Sequence, residues 1–281
     1  MKVSGFTIAR NVIKFNYPII ESIRSILPIC DEFIVNVGDS EDDTLNLIKS
    51  IASPKIRIIQ NKWDFSQGKE VLAFQTNLAL KECSGDWAFY LQSDEVIHEM
   101  DLKKLEVLMD RYLTDKTVDA LRFKWFHFYG SYFRYRIDAG WYQKQDRIIR
   151  NNGEIESWGD AYSFRRKDSR PLRKKSTNCF VYHYGWVHPP ELMRERRNNA
   201  ERIGFVTLRK EERGEKFIFG SLGRFPVYFG KHPSAMQERI RNHPLSRQDW
   251  EVIKRRYWYH PAEIFRIRYK TGKRIGYNMG R

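Results

Sequence analysis

The sequence predicts an α/β protein: a mostly parallel central sheet flanked by helices, with a helical, basic extension at the C-terminal end. Three observations predict it. Across the first hundred residues, short apolar runs of strand type alternate with segments of helical periodicity, the signature of βαβ units. One such run, "WAFYL" at residues 87–91, is apolar throughout, as a strand covered on both faces must be. The chain has 281 residues, 41% of them hydrophobic and 15% aromatic, enough to bury a large core.

The elements follow in order. "VSGFTIA" from Val3 reads as the first strand, and "PIIESIRSIL" carries helical spacing with a proline at its start. "EFIVNV" from Glu32 is the second strand; an acidic turn and a helix over "TLNLIKSIA" come next. "KIRIIQ" (55–60) is a third strand, "KEVLAFQTNLALKEC" (69–83) a helix, and residues 87–91 the fourth strand. After Asp101 the simple alternation stops. A helix near "LKKLEVLMDRYL" leads into a segment with 10 aromatic residues between Phe123 and Tyr142, read mostly as core and lid. "DRIIRN" and "CFVYHYGW" read as further strands, residues 190–213 as a long charged helix, and "KHPSAMQERI" and "SRQDWEVIKRRYWYHP" as helical pieces. The expected organisation is one catalytic domain over 1–215, its halves at 1–100 and 101–215, with the basic extension at 216–281.

Charge and composition narrow the classes. The formal charge is +15, and from Lys216 onward 15 Lys or Arg face 4 Asp or Glu, so this stretch supplies +11. That excess favours anionic partners: nucleic acid, phosphorylated substrates or an anionic membrane surface. No apolar run approaches the ~20 residues that span a bilayer, and the N-terminal stretch lacks a signal-peptide pattern, so a cytoplasmic protein, peripheral at most to the inner membrane face, is expected. Three widely spaced cysteines, Cys30, Cys83 and Cys179, read as reduced core residues without zinc spacing.

The fourth strand stops against "QSDE", where Asp94 and Glu95 are adjacent carboxylates. Open α/β sheets bind ligands at this rim, beyond the carboxyl ends of their strands. From these residues alone, a solvated acidic turn competes with that reading. Four pieces line up in chain order: "TIARN" (7–11), "VGDSEDDT" (37–44), "QSDE" (92–95) and "YHYGWVHP" (182–189). Together they resemble glycosyltransferase family 2, with its GT-A fold. The resemblance covers roughly the first two-thirds of the chain, and it departs at "VGDSEDDT", where Val37 and Gly38 replace the family's first two acids.

The resemblance implies a metal-dependent, inverting transferase that moves a sugar from a UDP- or GDP-linked donor to a glycan or lipid-linked acceptor. Mn²⁺ or Mg²⁺ would neutralise the leaving diphosphate. Asp94 is the carboxylate expected to hold the cation, with His183 as a late additional ligand; a satisfied structural histidine is the competing reading. Gln92 takes the place of the first acid in the family's strand-end motif, and Gln92, Ser93, Ala9, Arg10, Asn11, Asp39, Gln67 and Lys69 are the expected nucleotide-sugar contacts. Asn11 could equally serve only the turn, and Lys69 could be a plain surface residue. A base for the acceptor hydroxyl is expected in "NGEIESWGDAYSF": Asp160 first, Glu156 second, against a turn aspartate. Glu95 is read as capping the following turn or orienting a neighbour. A sugar nucleotidyltransferase on the same fold lacks its glycine-rich loop here, and a nucleic-acid-binding protein lacks any recognisable signature, so no specific nucleic acid is expected. An oligomer contact through the basic extension stays open.

Overall fold

The computed structural model describes residues 1–138, 140–208, 217–219 and 222–243. Its first half is the expected alternation: β1 (Val3–Ala9), α1 (Ile19–Ile26), β2 (Glu32–Val37), α2 (Thr44–Lys49), β3 (Ile56–Gln60), α3 (Glu70–Lys81) and β4 (Trp87–Tyr90). All three neighbour pairs, β3 with β2, β2 with β1 and β1 with β4, run parallel. Every residue of β1 and β4 is buried, because helices cover both faces. On one face, Ile19, Ile23 and Ile26 of α1 pack with Phe33, Trp87 and Phe89. On the other, Ala79 and Leu80 of α3 meet Phe6, Ile34 and Tyr90.

The second half extends the same sheet. It contains β5 (Glu95–Ile97), α4 (Glu99–Arg111), β6 (Ala120–Tyr129), β7 (Tyr135–Arg136), β8 (Lys144–Arg150), the β9–β10 hairpin (Ile155–Trp158 and Ser163–Arg166), β11 (Lys174–Trp186) and α5 (Pro190–Arg202). The sheet runs β3-β2-β1-β4-β8-β6-β11-β5, with β7 beside β6. β8 is antiparallel to both β4 and β6, while β11 is parallel to β6 and antiparallel to β5. That register sets His183 opposite Glu95 on one side and His127 on the other. The fold class is therefore the predicted α/β sheet flanked by helices; the three-pair parallel run lies in the first half, and β6 with β11 adds one parallel pair in the second.

Three expectations change. The helix expected over 190–213 ends at Arg202: Gly204 takes φ +75°, and Phe205 N–H closes on the Ala200 carbonyl at 2.8 Å, a Schellman stop. The helix after β2 stops at Lys49, short of Ala52, which itself takes φ +52°. The aromatic segment holds a ten-residue strand, β6, in which only Arg122 and Lys124 are half-buried and the other residues are buried. A short helix, α6 (Gln237–Asn242), falls where "KHPSAMQERI" predicts one; the helix expected in "SRQDWEVIKRRYWYHP" lies outside the described residues, as do residues 209–216 at the expected domain boundary. Residues 222–243 return to the sheet. Tyr228 and Met236 join the aromatic cluster around Phe126 and Phe128, and Arg239 pairs with Glu21 of α1 at 2.6 Å. Among the described residues, no helix is long and apolar enough to cross a membrane.

Candidate active site

The loop after β4 is built rigidly. Thr7 Oγ donates to the Leu91 carbonyl (2.6 Å), Ser22 Oγ to the Gln92 carbonyl (3.0 Å) and Ser93 Oγ to the Ile8 carbonyl (2.8 Å). Glu95 is fully buried and accepts both Nε and a terminal nitrogen of Arg147, each at 2.7 Å; it also takes the Gln92 N–H at 3.1 Å. Arg147 in turn donates to the Tyr162 carbonyl at 2.9 Å. Glu95 thus does orient neighbours. It couples the loop to the β9–β10 hairpin, and the Gln92 side-chain amide adds a second tie by donating to the Ala161 carbonyl at 3.2 Å.

Asp94 projects from this loop toward the end of β11. Its Oδ2 lies 3.5 Å from His183 Nε2 and 3.9 Å from the Arg196 guanidinium. Burial alone would raise its pKa, but the His183 ring and Arg196 outweigh burial and hold the carboxyl down to about 2. The approach needs Gly185: a Cβ there would strike the Asp94 carboxylate and come within 2.8 Å of His183 Nε2.

His127 decides what His183 offers. Burial and the neighbouring His183 push its pKa down to about 3, so its ring is neutral. Its Nε2 lies 2.7 Å from the Tyr142 carbonyl, which can only accept, so Nε2 carries the proton. His127 Nδ1 is then an acceptor, and the 3.1 Å contact to His183 Nδ1 requires His183 to donate. With its Nδ1 proton committed to His127, His183 presents Nε2 to the Asp94 carboxylate. An Nε2 lone pair and a carboxylate repel unless a cation or a proton lies between them. A ligand imidazole whose other nitrogen donates to a buried acceptor is the usual arrangement in metal sites. Asp94 and His183 fit a divalent cation on these grounds. Among the described residues no three His, Cys, Asp or Glu side chains cluster as metal ligands, so other coordination positions would fall to phosphate oxygens and water.

The other predicted residues divide into groups. Arg10 Nε donates to Asp39 at 3.3 Å while its guanidinium lies 4.7 Å from the centre of the Phe65 ring; Asp39 also accepts the Trp63 N–H at 3.2 Å. Gln67 and Lys69 are exposed beside a cleft of about 400 Å³, which Gly204 and Phe205 line from the opposite side. Ala9 is buried at the end of β1, its carbonyl taking the Gly38 N–H at 2.8 Å. Asn11 serves the turn: at φ +52° its Oδ1 accepts the Glu41 N–H at 2.7 Å. Asp160 is exposed at the tip of the β9–β10 hairpin. Burial and the neighbouring Glu95 push the Tyr142 hydroxyl far up. Glu156 lies on the outer face of the hairpin and is engaged by Arg165 at 2.8 Å.

The family model for glycosyl transferase family 2 matches residues 6–180, more than half of the chain. The chain belongs to glycosyl transferase family 2. It is a glycosyltransferase. Solved structures similar to this family 2 chain include S. aureus TarS 1–349 (17% identity, 76% of this chain and 68% of that one, TM-score 0.43). The same TarS fragment in complex with UDP-GlcNAc matches at 17% identity over 76% and 69%, with a TM-score of 0.44. Glucosyl-3-phosphoglycerate synthase from Mycobacterium tuberculosis, in complex with Mg²⁺ and UDP, matches at 23% identity over 45% of this chain and 43% of that one, TM-score 0.31. The chain covers 41% of a longer TarS chain. A comparison with curated proteins finds no match. In this family 2 chain, sequence reasoning missed His127, Arg147, Gly185 and Arg196. His127 is hidden in the aromatic run, and Arg196 in a helix of many charges. Gly185 had a visible signal, a glycine two residues after the candidate ligand His183.

Proposed function

We propose that the chain transfers a sugar from a nucleotide-diphosphate-sugar to an acceptor hydroxyl, with inversion, and that Asp94 and His183 hold a divalent cation at the donor diphosphate. The observation that carries the reading is the His127–His183 relay, which commits the His183 Nδ1 proton to His127 and turns Nε2 toward Asp94. A mixed carboxylate and imidazole pair favours Mn²⁺ over Mg²⁺, because imidazole is a poor ligand for the harder ion. When bound, the cation would neutralise charge developing on the leaving diphosphate. Arg196, 3.9 Å from Asp94, adds positive charge from the protein at the same place. Arg10, Asp39, Gln67 and Lys69 border the nucleotide side, and Gln92 and Ser93 hold the loop that presents Asp94.

Asp160 is the base in this reading. The acceptor oxygen attacks the anomeric carbon while the bond from that carbon to the diphosphate oxygen breaks. The bond's electron pair leaves with the diphosphate, and the hydroxyl proton passes to Asp160. Glu156 serves less well because Arg165 occupies it. The acceptor is a glycan or a lipid-linked glycan, and the basic stretch after Lys216 supports docking on an anionic membrane surface. A thermal-shift screen of UDP, GDP and their sugar derivatives, each with and without Mn²⁺, tests the donor reading. A rise in melting temperature that requires both nucleotide and Mn²⁺ supports it. No rise with any of them removes it.

A further inference from the structure

Around Tyr129, at the end of β6, lies a patch that the transfer reaction does not use. Phe219, Trp186 and Phe225 ring Tyr129 at 5.2, 5.8 and 5.3 Å, and Trp141 stands 6.0 Å away. Two large aliphatic side chains next to these residues in sequence face solvent: Ile218 is 81% exposed and Ile137 44%. Arginines border the same rings. Arg136 lies 4.9 Å over Tyr129 and 4.8 Å over Trp141; Arg224 lies 4.8 Å over Phe225. Arg197 sits 5.5 Å over Phe217. Asp138 pairs with Arg136. The patch is firmly anchored. Val227 bridges to Arg134, Arg134 donates to the Phe225 carbonyl at 2.8 Å, and Tyr228 N–H reaches the Phe133 carbonyl at 2.8 Å.

We infer that this patch docks the enzyme on an anionic phospholipid surface, with Ile137 and Ile218 entering the acyl boundary and the arginines meeting lipid phosphates. Exposed aliphatic tips, half-buried tryptophans and guanidinium groups together match the depth profile of a membrane interface: apolar, amphipathic, charged. A polyanion in water would give the isoleucines nothing to gain. A second copy, docking through the same patch, would set arginines against arginines. The surface lies beside the chemistry, since Trp141 meets the His127 ring at 5.0 Å and His127 holds His183. The inference rests on the reading of an anionic membrane partner, but it moves the contact from the basic stretch at the chain's end to described residues.

Flotation with vesicles of phosphatidylcholine, alone or doped with phosphatidylglycerol, tests it on three full-length proteins: the natural chain, I137S/I218S, and K254E/R255E/R256E in the basic stretch. Calorimetry with UDP and Mn²⁺ on each checks that the donor site is intact, so failure of the donor reading is seen separately. The natural chain is expected to float only with the doped vesicles, less at high salt, and I137S/I218S to lose about 10-fold or more in partitioning with UDP affinity unchanged. Equal flotation of I137S/I218S, or a loss confined to the K254E/R255E/R256E protein, overturns the patch and leaves the basic stretch as the anchor. No flotation of the natural chain overturns both. A dimer in solution that I137S/I218S dissolves would assign the patch to a second copy instead.

Discussion

Replacing Glu95 with Gln keeps the shape of the side chain and removes the charge that Arg147 needs. Both side chains are completely buried, and the pair is joined by two hydrogen bonds of 2.7 Å. Arg147 has backbone carbonyls of Asp146 and Tyr162 as its other acceptors, neither of which carries a compensating charge. Breaking a buried pair by removing one partner costs about 3–5 kcal/mol, because the remaining charge stays desolvated. Against a total stability of about 5–15 kcal/mol, that is a large fraction. Urea denaturation of Glu95→Gln should show this loss, and the melting temperature should fall by about 6–20 °C. The double variant Glu95→Met with Arg147→Met should recover much of it, because no uncompensated charge remains. The loop that presents Asp94 would still loosen in that double variant, so UDP binding should stay weak while stability returns. A loss below about 1 kcal/mol in Glu95→Gln would refute the reasoning that this pair braces the corner.

Gly185→Ala should lower Mn²⁺-dependent UDP affinity by about 10- to 100-fold at a stability cost of about 1–3 kcal/mol, read by calorimetry and urea titration, because the added methyl parts Asp94 from His183. Asp160→Asn should lower kcat by about 10²- to 10⁴-fold with donor affinity retained, whereas Glu156→Gln should be mild; the reverse order, measured by donor consumption, would move the base to Glu156. Burial holds His188 and His232 down to about 2 and about 3, below the ~6.5 of an unfolded chain, so each stays neutral when folded. Their contribution to stability is complete above about pH 6.5 and drains away as pH falls toward the folded values. Each costs up to about 1.4 kcal/mol per pH unit, and His188→Gln should flatten urea stability measured from pH 7.5 down to 5 by close to one proton.

The βαβ half was legible because its strands are short, apolar and separated by helices with clear spacing, and β1, β2 and β4 fall where the pattern puts them. β5 was not, since three residues after an acidic corner carry no periodicity. β6 hid for a different reason: its alternation is confined to Leu121–Trp125 and gives way to a buried, mostly aromatic run that reads equally as strand or lid. Within the site, Asp94 and His183 could be named from strand ends and paired through the family resemblance, but not from spacing, since β5 must first insert beside β11. The partner of Glu95 lies 52 residues away on β8, and nothing in "DRIIRN" marks which arginine meets it. Asn11 shows the limit of reading a turn from sequence, as its side chain closes the loop where a ligand contact was equally expected.

The central claim is that Asp94 and His183 together hold a cation for the donor diphosphate. Calorimetric titration of UDP into the natural chain and into Asp94→Asn, each with and without Mn²⁺, measures it most directly. The account predicts binding by the natural chain that needs Mn²⁺, and loss of that metal-dependent part in Asp94→Asn with the melting temperature of the free protein little changed. Equal UDP affinity in the two proteins, or affinity in the natural chain that is indifferent to Mn²⁺, would contradict it.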